Sequence, residues 1–242
     1  MLSQEEIDKL LTDISNQEVD ATAWSSSRET RKVRIYDYRK PSRFSRENIH
    51  ILKEIHNVFA SSFCNSLSEQ LNTFTGVHIA SINQMTYEEI IRSVPNLSVF
   101  IQTILEPLQG LALIEIGPSI AYSMLMHIFG NGDITEEEIK NVSKTPLSDI
   151  EASILEGQAV RMLGCLREAW SNVIDLRPTM ATIESNPKAC QITTKQEMCI
   201  VVTLEVLIGE QKGMMNIIYP DSSLRGIRKK LIYVQGYGYE SV

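Results

Sequence analysis

Two kinds of hydrophobic spacing alternate along the chain. In NIHILKEIHNVFASSFCNSLSEQLNTF, residues Ile51, Ile55, Val58, Phe59, Phe63, Leu67 and Leu71 recur at helical spacing, which predicts a long amphipathic helix from Asn48. VHIASINQMTY, VFIQTILEPL and GLALIEI then read as three strands, the last two joined by a hairpin-like turn at EPLQG. PSIAYSMLMHIFG returns to helical spacing, with Gly130 as its C-terminal cap. A polar stretch, NGDITEEEIKNVSKTP, closes this first run of elements.

The same series then repeats. A second long helix runs through SDIEASILEGQAVRMLGCLREAWSNV, followed by LRPTMATIES, CIVVTLEVLI, GMMNIIYP and DSSLRGIRKKL. Setting Gly110 on Gly213 gives an offset of 103, which also sets Ile51 on Ile154, Leu71 on Ile174, Val99 on Val202 and Ser119 on Ser222. One offset that aligns helices and strands without gaps indicates an internal duplication. Helix, three strands and helix in each half predict an α+β fold, a layered α/β/α domain with a mixed sheet and a pseudo-twofold axis. The domain spans 48–232, with repeats at about 48–130 and 148–232.

Outside it the pattern changes. MLSQEEIDKLLTDIS at 1–15 places Leu2, Ile7, Leu10, Leu11 and Ile14 on one helical stripe, with Ser3 and Glu6 at capping-box spacing. Such a helix is too short to be stable alone in water, so its apolar stripe needs a surface to lie on. Residues 16–47 read as a linker, flexible and then partly ordered, because aliphatics are sparse and no period persists. Charge divides sharply: residues 1–20 carry six acids against Lys9, whereas 28–46 carry eight bases against Glu29 and Asp37. The basic run reads either as a solvated linker or as a lead-in docking through Tyr36, Tyr38 and Phe44. The tail from 233 to 242, rich in Gly and Tyr, reads as the start of a connector to a further domain absent from these residues.

Composition narrows the function classes. A net charge of −7 and a pI near 5.2 argue against a general nucleic-acid binder. Cys64, Cys165, Cys190 and Cys199 are widely separated, which points to reduced thiols and a cytosolic location. His50, His56, His78 and His127 lack metal-ligand spacing, so no metal or other cofactor is expected. Met124, Met126, Met214 and Met215 read as core filling. No signal peptide and no apolar run of membrane-spanning length is visible.

LSQEEIDKLL, YDYRKPSRFSRE, HNVFASSFCNSLS, ILEGQAVRMLGCLREAW and GMMNIIYPDSSLRGIRKKL together resemble the FliM family of flagellar motor switch proteins. The resemblance implies a CheC-like, internally duplicated middle domain in a cytoplasmic ring at the flagellar basal body, peripheral to the inner membrane. It implies that the N-terminal helix binds the phosphorylated response regulator CheY and that the middle domain binds FliG and neighbouring copies of itself. It also implies FliN as a partner, through the domain absent here. Carried onto this chain, the regulator-binding residues are Leu2, Ser3, Gln4, Glu5, Glu6, Ile7, Asp8, Leu10, Leu11 and Ile14. Those for FliG are Phe129, Gly130, Asn131, Gly132 and Asp133, where the family carries Gly-Gly-x-Gly and this chain has one glycine fewer.

A tethered helix is held at high effective concentration near its target without being ordered beforehand. The alternative is that it folds back on the domain. The rival function is a CheC-type phosphatase of CheY, or a stand-alone regulator-binding protein. Such chemistry needs an acid and an amide one helical turn apart, and Glu54 and Asn57 have that spacing. At the 103 offset the second repeat offers only Gly157 and Val160, so a solvent-facing pair and no catalytic residue is expected. No P-loop, G-x-S-x-G or G-x-G-x-x-G pattern is present.

Overall fold

The computed structural model describes residues 44–95, 97–130, 132, 137, 147–187, 189–228 and 230–233. All belong to one compact unit, Ser42–Val242. The segments expected to form the N-terminal helix and the linker, as far as Arg43, lie outside the described residues, as does the tail from 234.

Ser45 caps helix α1 (Arg46–Leu71), its hydroxyl accepting from the Asn48 N–H at 3.2 Å. Strand β1 (Thr75–Thr86) leads into a short helix α2 (Tyr87–Ser93), then β2 (Val99–Glu106), β3 (Leu111–Ile116) and helix α3 (Pro118–Ile128). The second repeat supplies α4 (Asp149–Trp170), β4 (Arg177–Glu184), β5 (Met198–Ile208) and β6 (Gln211–Pro220). Its last helix is broken into α5 (Asp221–Leu224), a 3-10 turn (Arg225–Ile227) and α6 (Lys230–Tyr233).

The six strands form one sheet in the order β1-β5-β6-β3-β2-β4. Every pairing is antiparallel, where a mixed sheet was expected. The order is its own mirror when each strand is exchanged for its counterpart, so each repeat lends its first strand to the other's hairpin. At the centre Ile114 lies opposite Ile217, its counterpart 103 residues on, and the pseudo-twofold axis passes between them. The bulged residues in β1 and β4 are Ala80 and Ala181, 101 apart.

A single gapless offset therefore does not hold. Ser45 and Ser148, the caps of the long helices, are 103 apart, as are the paired residues of β3 and β6. Val99 pairs with Ile116 while Ile200 pairs with Tyr219, so β2 maps onto β5 at 101 and Val99 answers to Ile200, not Val202. Two residues are lost between α4 and β4 and regained in the longer β5–β6 hairpin. A slip of two preserves which side chains face the core, so packing tolerates it.

Helices α1, α3 and α4 cover one sheet face. Between them lies the main core, with Phe59, Phe63, Leu67, Ile101, Ile114, Met162, Trp170 and Ile217. The other face carries a thinner layer, α2 and the 187–197 segment over Phe100, Leu113, Val201 and Ile218. Phe44 is already buried against the main core.

Candidate partner-binding site

Helix α3 is set by its first residue. The Gly117 N–H donates to the Met214 carbonyl at 2.9 Å, and a Cβ at Gly117 would sit 2.9 Å from that oxygen. Only glycine lets the chain pass this close to β6. Gly213 makes the reciprocal approach, since a Cβ there would come within 2.6 Å of Ile120 Cγ1.

From this anchor α3 runs through six consecutive buried residues, Ile120 to Leu125, which leaves it no polar face in its middle. It then emerges from the body. Ile128 is 37% exposed and Phe129 47%, so the helix ends in an apolar knob. The Phe129 N–H closes on the Leu125 carbonyl at 2.9 Å, and His127 Nδ1 is held by the Ser123 carbonyl at 2.9 Å. Gly130 follows at φ +82 and Gly132 at φ +70, both left-handed. Among the described residues nothing lies within 4 Å of a Cβ built on either, and the glycine serves each position through its backbone angle. The described residues here offer an exposed apolar pair beside two glycines, which suits a partner's surface.

Of the residues expected here, Phe129, Gly130 and Gly132 are thus brought together, while Asn131 and Asp133 lie outside the described residues. Leu2, Ser3, Gln4, Glu5, Glu6, Ile7, Asp8, Leu10, Leu11 and Ile14 lie outside them too. Glu54 and Asn57 are both exposed on α1, as are Gly157 and Val160 on α4. Met124 and Met215 are core residues, but Met214 is 48% exposed. Among the described residues no cluster of His, Cys, Asp or Glu is placed to hold a metal ion, and no helix is long and apolar enough to cross a membrane.

A buried polar trio was not foreseen. His56 donates from Nδ1 to the Leu52 carbonyl at 2.7 Å, so its Nε2 accepts the Tyr219 hydroxyl at 2.9 Å. Trp170 packs edge-on against both rings. Burial pushes the His56 pKa down to about 4 and raises that of Tyr219, which keeps both groups neutral. The trio braces α1 and α4 against β6. Its sequence signal was weak, because the three residues are far apart in the chain.

The family described as flagellar motor switch protein FliM matches residues 45–235. The chain is similar to the flagellar motor switch protein FliM of Treponema pallidum, at 42% identity over 96% of this chain and 66% of that protein. With its counterpart in Bacillus subtilis the identity is 34%, over 96% of this chain and 68% of the relative. The chain therefore spans about two thirds of the length of these relatives. Its fold matches a chain of the crystal structure of the FliG-FliM complex from H. pylori, with a TM-score of 0.70 and 30% identity, over 76% of this chain and 99% of that one.

Proposed function

The chain belongs to the FliM family of flagellar motor switch proteins, and from that premise we propose that it links a rotor-ring partner to a chemotaxis signal. In this reading the knob at the end of α3, with Phe129, Gly130, Asn131, Gly132 and Asp133, binds FliG. The segment 1–15 binds phosphorylated CheY, Ile7, Leu10, Leu11 and Ile14 filling a groove while Glu5, Glu6 and Asp8 meet a basic rim. Neighbouring copies pack side by side in a cytoplasmic ring at the flagellar basal body, and FliN joins the same assembly. Regulator binding then controls rotation sense by favouring one ring arrangement, to the extent that its affinity differs between arrangements.

The observation that carries the FliG reading is the exposed Ile128–Phe129 pair leading into two left-handed glycines. Support also comes from the similar chain in the FliG-FliM complex structure. Burying Phe129 at an interface is worth about 1.5–3 kcal/mol. Phe129→Ala should therefore weaken FliG binding by about tenfold or more in calorimetry while leaving the melting temperature within a few degrees of the parent. Unchanged affinity overturns the FliG assignment. A peptide of residues 1–16 should bind activated CheY saturably, and Leu10→Asp with Leu11→Asp should abolish that binding. A flat titration of the parent peptide removes the regulator role.

A further inference from the structure

The duplication supplies an internal control for exposed surface. Helices α1 and α4 are counterparts at the 103 offset, and each turns one narrow stripe to solvent. On α1 the stripe is Glu47, His50, Glu54, Asn57 and Ser61, an ordinary solvated face. On α4 the same positions are Ile150, Ser153, Gly157, Val160 and Gly164, all exposed and none charged. Ile150 is 70% exposed and Val160 61%. The glycines are not called for by the body, since among the described residues nothing lies within 4 Å of a Cβ built on Gly157 or Gly164. Glycine is the least favourable residue after proline in a helix interior. What it offers there is a notch where a second backbone can come close.

The stripe is self-complementary. Gly157 and Gly164 lie on either side of its midpoint, and Val160 lies next to that midpoint. Glu156 and Arg167 project on one flank and share nearly the same midpoint. A second α4 laid antiparallel therefore sets Gly157 opposite Gly164, Val160 beside its own copy, and Glu156 opposite Arg167 twice over. A parallel pair would set Glu156 on Glu156. Asp175 lies 3.6 Å from Arg167 but 2.9 Å from Arg177, so the closer arginine takes it. On the other flank Arg161 sits beside Gln70, and Glu168 accepts from the Ser62 hydroxyl at 2.8 Å, so both are turned toward α1. Exposed charges of this kind set orientation more than strength. Contact comes from the stripe and from a groove of about 530 Å³ beside it, where Val160, Leu163 and Gly164 face Pro178 and Met180 of β4.

We propose that the outer face of α4 pairs with the same face of a second copy of this chain, the two helices antiparallel about a twofold axis near Val160. Such an isologous contact joins two copies and stops, whereas a ring needs head-to-tail contacts, so this face is separate from the ring packing and the FliG knob proposed above. From Ile150 to Gly164 the stripe is about 20 Å long and covers a few hundred Å² per partner, short of the roughly 800 Å² of a standard interface. The dimer is therefore weak and reversible.

Sedimentation equilibrium of the whole 242-residue chain, from about 10 µM to 1 mM, should show a monomer–dimer equilibrium. Val160→Glu should weaken it about tenfold or more, whereas Asn57→Glu at the counterpart position on α1 should leave it unchanged. Gly157→Gln with Gly164→Gln should weaken pairing to a similar extent while raising the melting temperature, a combination that a purely structural role for the glycines does not give. Glu156→Arg and Arg167→Glu should each weaken the dimer, and the two together should restore it. A chain that stays monomeric throughout overturns the proposal, as does a dimer that the Val160 and glycine substitutions leave intact or a charge swap without rescue. Loss of FliG binding in the glycine variant of a monomeric parent would assign the face to FliG and overturn it too.

Discussion

Two buried ionisable residues give the domain opposite responses to pH. His56 is completely buried and its pKa falls to about 4 through desolvation, while the unfolded chain titrates near 6.5. Its stabilising contribution is full above 6.5 and shrinks as pH falls toward 4, because only the unfolded state then takes up the proton. The loss reaches about 3 kcal/mol and should appear as a steady drop in the urea midpoint between pH 6.5 and 4. His56→Gln should flatten that slope. Glu115 behaves in the opposite sense. It is 1% exposed and accepts from Asn216 Nδ2 at 2.6 Å, and burial raises its pKa against the pull of Ser98 and Asn216. A raised carboxyl pKa favours folding below the unfolded value and loses that advantage as pH rises through the folded one. Glu115→Gln should therefore stabilise at pH 8 by about 1 kcal/mol, the scale of a typical single substitution, and have little effect near pH 4. Parallel melts of the two proteins at both pH values check this.

Helix caps and close backbone approaches decide where the elements begin. Ser148 and Glu151 form a reciprocal box at the start of α4, with the Ser148 N–H and hydroxyl each 2.8 Å from Glu151 Oε2. Ser148→Ala should cost about 1 kcal/mol in chemical denaturation. Gly213→Ala should cost more, about 1–3 kcal/mol, because a methyl there meets Ile120 of α3 in a packed core. These features also show what could be read from sequence. Helices α1 and α4 are long enough for the 3.6-residue period to stand out, and the hairpins carry their turn residues. Helix α2 has only seven residues, too few for periodicity, although Thr86 and Glu89 already spell its capping box. Strand order was illegible for a different reason. Alternation along β1 says which side chains are buried but not that its partner is β5 of the other repeat. The glycines of the candidate docking loop were visible as letters, but the emergence of Ile128 and Phe129 from the body depends on where α3 crosses β6.

At the scale of the whole described body, the pseudo-twofold relation is broken where the chain leaves the second repeat. The first repeat ends in the eleven-residue α3, whereas its counterpart splits into α5, a 3-10 turn and α6. The split turns Arg228 back toward α1, where its guanidinium lies 4.6 Å from the centre of the Phe44 ring. The same guanidinium pairs with Asp221, whose side chain is 2% exposed. Phe44 is held in turn by its N–H on Gln84 Oε1 at 3.4 Å. The start of the described body and the end of the second repeat are thus tied through one stack, Phe44 on Arg228 on Asp221. Replacing Arg228 with Gln removes both the cation over the ring and the closest cation to a buried carboxylate. Breaking a buried ion pair costs about 3–5 kcal/mol; with Arg228 still 26% exposed, roughly 2 kcal/mol is the expected loss. Phe44→Leu keeps apolar volume and loses only the ring, so about 1 kcal/mol is expected. If the stack joins the two ends, amide exchange should quicken in both variants at 44–50 and at 221–233 together, while the β3–β6 centre of the sheet stays protected. Faster exchange at one end alone would mean that the ends are held independently.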